Sequence, residues 1–125
     1  MKQTINVNTY PDPVVPQSKR TRSWKCIYKT ATVEKVQFYI AGHKGLSKIY
    51  IMLERRGGIV ENLAQNGGVE YFTGNNIPIE LYLGRQIEYG DRLVIQLVND
   101  DPDTTAGIAM NLGVQFGIES TGEVY

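Results

Sequence analysis

Residues 107–118 alternate between two kinds of side chain. Ile108, Met110, Leu112, Val114, Phe116 and Ile118 take one set of positions; Gly107, Ala109, Asn111, Gly113, Gln115 and Gly117 take the other. An extended strand points successive side chains to opposite faces, so all six apolar residues line up on one side. A helix would scatter them around its circumference. The segment therefore reads as a strand with one face buried.

The same period recurs upstream. Ile77, Ile79, Leu81 and Leu83 alternate with Pro78, Glu80 and Tyr82; Leu93, Ile95 and Leu97 alternate with Arg92, Val94, Gln96 and Val98. Ile49, Ile51 and Leu53 share one side of 48–54, and Val36, Phe38 and Ile40 one side of 35–40. Residues 22–30 set Trp24, Cys26 and Tyr28 opposite Lys25, Ile27 and Lys29. Segments 58–63 and 68–73 are shorter strand candidates, and 3–8 suits an edge strand. Turn residues separate the runs: Ala41-Gly42-His43-Lys44-Gly45, Arg56-Gly57-Gly58, Asn66-Gly67-Gly68, Thr73-Gly74-Asn75-Asn76, Tyr89-Gly90-Asp91 and Asp100-Asp101-Pro102-Asp103. Gly-rich pairs supply the positive φ of tight turns. Short strands recurring about every 8–12 residues predict an all-β antiparallel sandwich or barrel of about seven or eight strands.

A chain of 125 residues fits one domain. The expected division is an edge strand and Pro-rich arm over 1–19, a sandwich over 20–119 and a loose tail over 120–125. Pro11, Pro13 and Pro16 cannot donate to a ladder, which makes 9–19 an extended arm or linker. Residues 1–8 lack the apolar stretch of a signal peptide. No apolar run approaches the roughly 18 residues that span a bilayer. Synthesis in a cytoplasm without membrane contact is the expectation.

Most catalytic and metal chemistries lack their residues. One cysteine and one histidine cannot build a Cys/His zinc site or a blue-copper site. His43 sits in a turn as a solvated residue, and Cys26 beside Trp24 and Tyr28 reads as a small core hydrophobe. Asp100, Asp101 and Asp103 lack EF-hand spacing and read as turn formers. Glu61, Glu70, Glu80 and Glu88 offer carboxylates without a distinguishing arrangement. No phosphate loop or dinucleotide fingerprint is present. No cofactor, metal or catalytic residue is expected, and the chain is read as a non-enzyme.

The net charge is zero, but its halves differ. Residues 1–60 hold eleven Lys/Arg and three acids, 11 − 3 = +8; residues 61–125 hold two Arg and ten acids, 2 − 10 = −8. Either the fold interleaves the halves, or the molecule has a basic and an acidic face that could dock against copies of itself. Basic residues around Trp24 and Tyr28, in the Lys19–Lys29 segment with Arg20 and Arg22, could track a nucleic-acid backbone, although a dedicated binder would carry net positive charge. Gly107, Ala109, Gly113 and Gly117 make one strand face small, as where another backbone approaches or a strand bends. Tyr39, Tyr50 and Tyr82 fall on outward faces with Met52, Val94 and Val98, and Tyr and Met are enriched at interfaces.

The short strands, the Pro11/Pro13/Pro16 arm ahead of a basic segment, and the acidic 100–103 turn before Ile108–Ile118 resemble small jelly-roll and β-sandwich proteins of virus and phage particles: pentons, minor capsid and capsid-decoration proteins. The resemblance implies a jelly-roll-like sandwich, an oligomer whose arm reaches a neighbouring subunit, and a place in a virion. The leading expectation is a non-enzymatic structural protein that self-associates or decorates a larger assembly, with capsid neighbours or its own copies as partners. The alternative is a carbohydrate-binding sandwich that uses exposed tyrosines. Interface candidates are Pro11, Pro13, Pro16, Arg20, Arg22, Tyr39, Tyr50, Tyr82, Gly107, Ala109, Gly113 and Gly117.

Overall fold

Each alternating run becomes a strand that turns its apolar side inward. The computed structural model describes residues 1–10, 13–41, 47–63, 70–71, 79–103, 105 and 109–124. Among them are nine strands: β1 (Lys2–Asn8), β2 (Ser18–Lys25), β3 (Thr30–Ala41), β4 (Ser47–Glu54), β5 (Val60–Asn62), β6 (Glu70–Tyr71), β7 (Ile79–Glu88), β8 (Arg92–Asn99) and β9 (Asn111–Ser120). The first sheet has the order β1-β9-β3-β7. The second runs β2-β8-β4-β5, with the short β6 also on β4. All pairings are antiparallel. With β5 and β6 taken as two pieces of one position, this is the eight-position, two-sheet jelly roll.

The interior is built from the inward rows. Met110, Leu112, Val114, Phe116 and Ile118 are all buried, as are Leu93, Ile95 and Leu97 of β8 and Ile49, Ile51 and Leu53 of β4. Val33, Val36, Phe38 and Ile40 line β3, while Leu81 and Leu83 pack more loosely from edge strand β7. Cys26 is fully buried, the small hydrophobe expected, and burial pushes its thiol pKa up.

Four expectations change in detail. The run 22–30 is two elements. β2 ends at Lys25, the chain crosses between sheets, and β3 begins at Thr30. The Cys26 amide donates to the Asp91 carbonyl and the Gly90 amide to the Cys26 carbonyl, so the crossing stays extended. Alternation persists through an extended crossing, which is why it hides the break. β3 also starts earlier than 35, because the register shifts between Val33 and Lys35. Val33 and Val36 both face inward, three residues apart, and such a bulge breaks the period. β7 runs on past Leu83 to Glu88. β9 starts at Asn111, with Met110 in an isolated bridge to Val14; Ile108 and Gly107 lie outside the described residues.

The proline segment is extended, but its described part lies along its own sandwich rather than projecting. Val14 is buried, exchanges backbone hydrogen bonds with Met110, and accepts one from the Asn99 side chain. Gln17, at φ 61°, donates its amide to the Asn99 carbonyl. The segment must carry the chain from one sheet to the other, and a buried Val anchors it. The tail is likewise attached: Lys29 donates to the Glu123 carbonyl, and Tyr28 bridges Val124.

Gly113 has a specific reason to be glycine. It pairs with Tyr39, and a Cβ there would sit 2.7 Å from the Tyr39 ring. The small strand face is thus covered, at this position, by a neighbouring strand's aromatic side chain. Phe116→Ala should cost about 3–5 kcal/mol in chemical denaturation, through lost burial and the cavity left. Gly113→Ala should destabilise the protein in the presence of Tyr39 and much less in a Tyr39→Ala background; a double-mutant cycle measures the coupling.

Candidate functional site

The two sheets leave two outer faces of different chemistry. Strand register arranges the first sheet's face in rows. One row runs Thr4–Gly117–Lys35–Tyr82 across all four strands. The next runs Asn6–Gln115–Gln37–Glu80. Tyr39 fills the space over Gly113, but nothing comparable covers Gly117. A Cβ there would meet Lys35 first, at an ordinary 3.5 Å from its Cβ and 3.8 Å from its Cε. The missing side chain leaves a groove of about 540 Å³ lined by Lys2, Thr4, Glu34, Lys35, Tyr82 and Gly117, among others.

Tyr82 stands on this face 79% exposed and donates its hydroxyl to Glu80 at 2.8 Å. Lys35 Nζ lies 3.2 Å from the same carboxylate. The Tyr82 hydrogen bond, followed by that of Lys35, lowers the Glu80 pKa, while the Glu80 acceptor raises that of Tyr82. Lys2 lies 3.8 Å from Glu119 and 4.0 Å from Glu34. Both lysines of the groove are thus matched by carboxylates. The outward charges of this face are Lys2 and Lys35 against Glu34, Glu80, Glu88 and Glu119, 2 − 4 = −2.

The second sheet's outer face is basic and more apolar. Tyr50, Met52, Val94 and Val98 share it with Gln96, because β4 and β8 pair Tyr50 with Gln96, Met52 with Val94 and Lys48 with Val98. Val60 adds an exposed apolar side chain beside Glu54. Lys19, Lys25, Lys48 and Arg92 frame the strip against Glu54 and Asp100, the latter 3.4 Å from Lys48, 4 − 2 = +2 among the described residues. Lys25 lies 5.2 Å from the centre of the Tyr89 ring, within cation–π range. The sequence halves do interleave, since basic β2 pairs with β8, yet the two faces still differ in sign.

At one end of the sandwich a polar cluster ties turns together. Asp91, 5% exposed, accepts from the backbone amides of Arg56 and Glu88 and from Arg55 Nη1 at 3.2 Å. Arg55 also donates to Glu61 at 2.6 Å and to the Gln86 carbonyl, and Arg85 approaches Glu61 at 3.4 Å. Burial alone would raise the Asp91 pKa; the two amides and the guanidinium outweigh it and hold the carboxyl below its ordinary value. Asp91 and Arg55 find these partners inside the protein, so the cluster is a clasp between the β4–β5 and β7–β8 connections. Among the described residues, no group of three or more His, Cys, Asp or Glu could hold a metal ion, and no helix is long and apolar enough to cross a membrane.

The interface candidates do not converge on one place. Tyr39 and Tyr82 share the first sheet's outer face with Gly113 and Gly117, while Tyr50 lies on the opposite side of the molecule. Arg20 and Arg22 pair with Leu97 and Ile95, so they point toward the interior's rim, where β1 runs beside β2. Pro13 is exposed, Pro16 and Ala109 are half-buried, and Pro11, Gly107 and His43 lie outside the described residues. Sequence reasoning missed the amide row of Asn6, Gln115 and Gln37. Each lies at an outward position of its own strand, but their adjacency needs the strand order.

No family model matches the chain, and no curated protein matches it. Solved structures are similar to it at low sequence identity. The Yersinia pseudotuberculosis-derived mitogen superposes with a TM-score of 0.51 at 8% identity, covering 100% of this chain and 94% of that one. A chain of infectious bursal disease virus, Gt strain, gives 0.48 at 9% identity over 97% of this chain and 37% of that chain. One of tomato aspermy virus gives 0.45 at 14% over 99% and 82%. At these identities the mitogen likeness is one of fold alone.

Asp91→Ala should cost about 3–5 kcal/mol, because Arg55 and two amides lose a buried partner. The sign of the pH effect follows from the lowered carboxyl pKa. Its contribution is present above the unfolded-state value and is lost as pH falls through the folded-state value. Acid denaturation profiles should therefore show wild type losing more stability on acidification than Asp91→Asn.

Proposed function

We propose that this is a non-enzymatic structural protein that joins a larger assembly, a virus or phage particle, through the outer face of its second sheet. The observation that carries the reading is the half-buried strip of Tyr50, Met52 and Val98, beside the buried Val94, framed by Lys19, Lys25, Lys48 and Arg92. An apolar centre with a charged rim is the usual anatomy of a protein interface. The rim has one dominant sign, so the partner surface is acidic, and rim charges of that kind steer encounter and set register. The partner is a protein: another copy in a homo-oligomer, or a neighbour in the particle. The first sheet's outer face, amide-rich and without such a strip, stays turned away from that contact.

Light scattering coupled to size-exclusion chromatography tests the self-associating form. Oligomers should appear at low salt, dissociate as salt rises, and disappear in Lys19→Glu/Lys25→Glu and in Tyr50→Ala/Met52→Ala. Both pairs face outward, so melting temperatures should stay within a few degrees of wild type. A strict monomer at high concentration and low salt would remove the homo-oligomer.

A further inference from the structure

We propose that the groove on the first sheet's outer face is a binding site for a neutral oligosaccharide. It lies on the side opposite the docking strip, so it is a second activity and does not rest on the assembly reading.

Three features carry the inference. The first is the floor. Gly117 lies between Thr4 and Lys35 in one row, and its bare backbone lets a ligand lie close to the sheet. The second is the wall. Tyr82, at the far end of that row, offers an exposed ring whose hydroxyl is held by Glu80. That hydrogen bond fixes one end of the side chain, leaving the ring's face for the C–H side of a sugar. The third is the neighbouring row. Asn6, Gln115 and Gln37 stand side by side, and none of their side chains is hydrogen-bonded to another described residue. Amides present donor and acceptor together, matching the paired hydroxyls of a pyranose.

The charges decide the ligand class. Lys2 lies against Glu119 and Glu34, and Lys35 against Glu80, so a phosphate, sulfate or carboxylate would find no free cation. The face is slightly acidic in sum, which opposes nucleic acid. The groove's aliphatic lining is Leu83 and Ile118, both from inward rows, while the outward rows hold none; that suits the ring face of a sugar better than an apolar peptide. An uncharged, polyhydroxylated ligand with one apolar ring face remains. Four strands about 4.8 Å apart span roughly 14 Å, room for a short oligosaccharide rather than one sugar.

A glycan array holding neutral, sialylated and sulfated oligosaccharides supplies the probes. The best neutral binder is then titrated into ¹⁵N-labelled protein by NMR. The expected result is selective binding of one or more neutral glycans, with shifts at Thr4, Gln115, Gly117 and Tyr82 and none along the Tyr50 strip. Tyr82→Ala should weaken binding at least tenfold. Gly117→Ala should weaken it by raising the floor, with a melting temperature within a few degrees of wild type because the added Cβ is in ordinary contact there. Tyr50→Ala should bind like wild type. Absence of any neutral binder, preference for sulfated or sialylated glycans, or unchanged affinity in both groove variants would each overturn the proposal.

Discussion

Two sheets can enclose an interior only if their central strands turn apolar rows toward each other. Here that condition meets at β9. Its inward side is Leu112, Val114, Phe116 and Ile118, all buried, and the strand sits between β1 and β3 in the middle of its sheet. Among the described strands β1 pairs with β9 alone, so the ladder partners of the first strand come from the last. The first sheet therefore closes through contacts between the ends of the sequence. Such non-local pairing makes folding slow relative to local structure, since loop closure must precede the burial that rewards it.

The remaining features protect that interior where it could open. β2 is an edge strand, and its alternation of Lys19, Thr21, Ser23 and Lys25 outside with Arg20 and Arg22 at the inner rim discourages pairing with another chain. The structure places the basic run of the Lys19–Lys25 stretch on this edge. At one end of the sandwich, Asp91 draws the β4–β5 and β7–β8 turns together through two backbone amides and Arg55. The proline segment does comparable work from the side, with buried Val14 bridged to Met110.

What remains outward divides by chemistry. One face mixes aliphatic and aromatic side chains with a cationic rim; the other is amide-rich, faintly acidic and hollowed at Gly117. The two glycines of β9 show how neighbours decide an outcome. Tyr39 covers Gly113, making that glycine part of the packing. Gly117 faces Lys35, whose Cβ leaves the backbone open. The same residue type in the same strand thus serves packing at one position and makes a groove at the other.

Alternation alone determined the all-β character, the inward rows of β4, β8 and β9 and the burial of Cys26, because these depend on residue type and a two-residue period. Tertiary structure decided the rest. The crossing at Cys26–Lys29 and the bulge at Glu34 escaped because an extended chain keeps its period through a crossing and loses it at a bulge. The docking of the proline segment depends on Met110, far along the chain. The groove needed strand order: Thr4, Gly117, Lys35 and Tyr82 come from four separate strands, and only hydrogen-bond register sets them side by side.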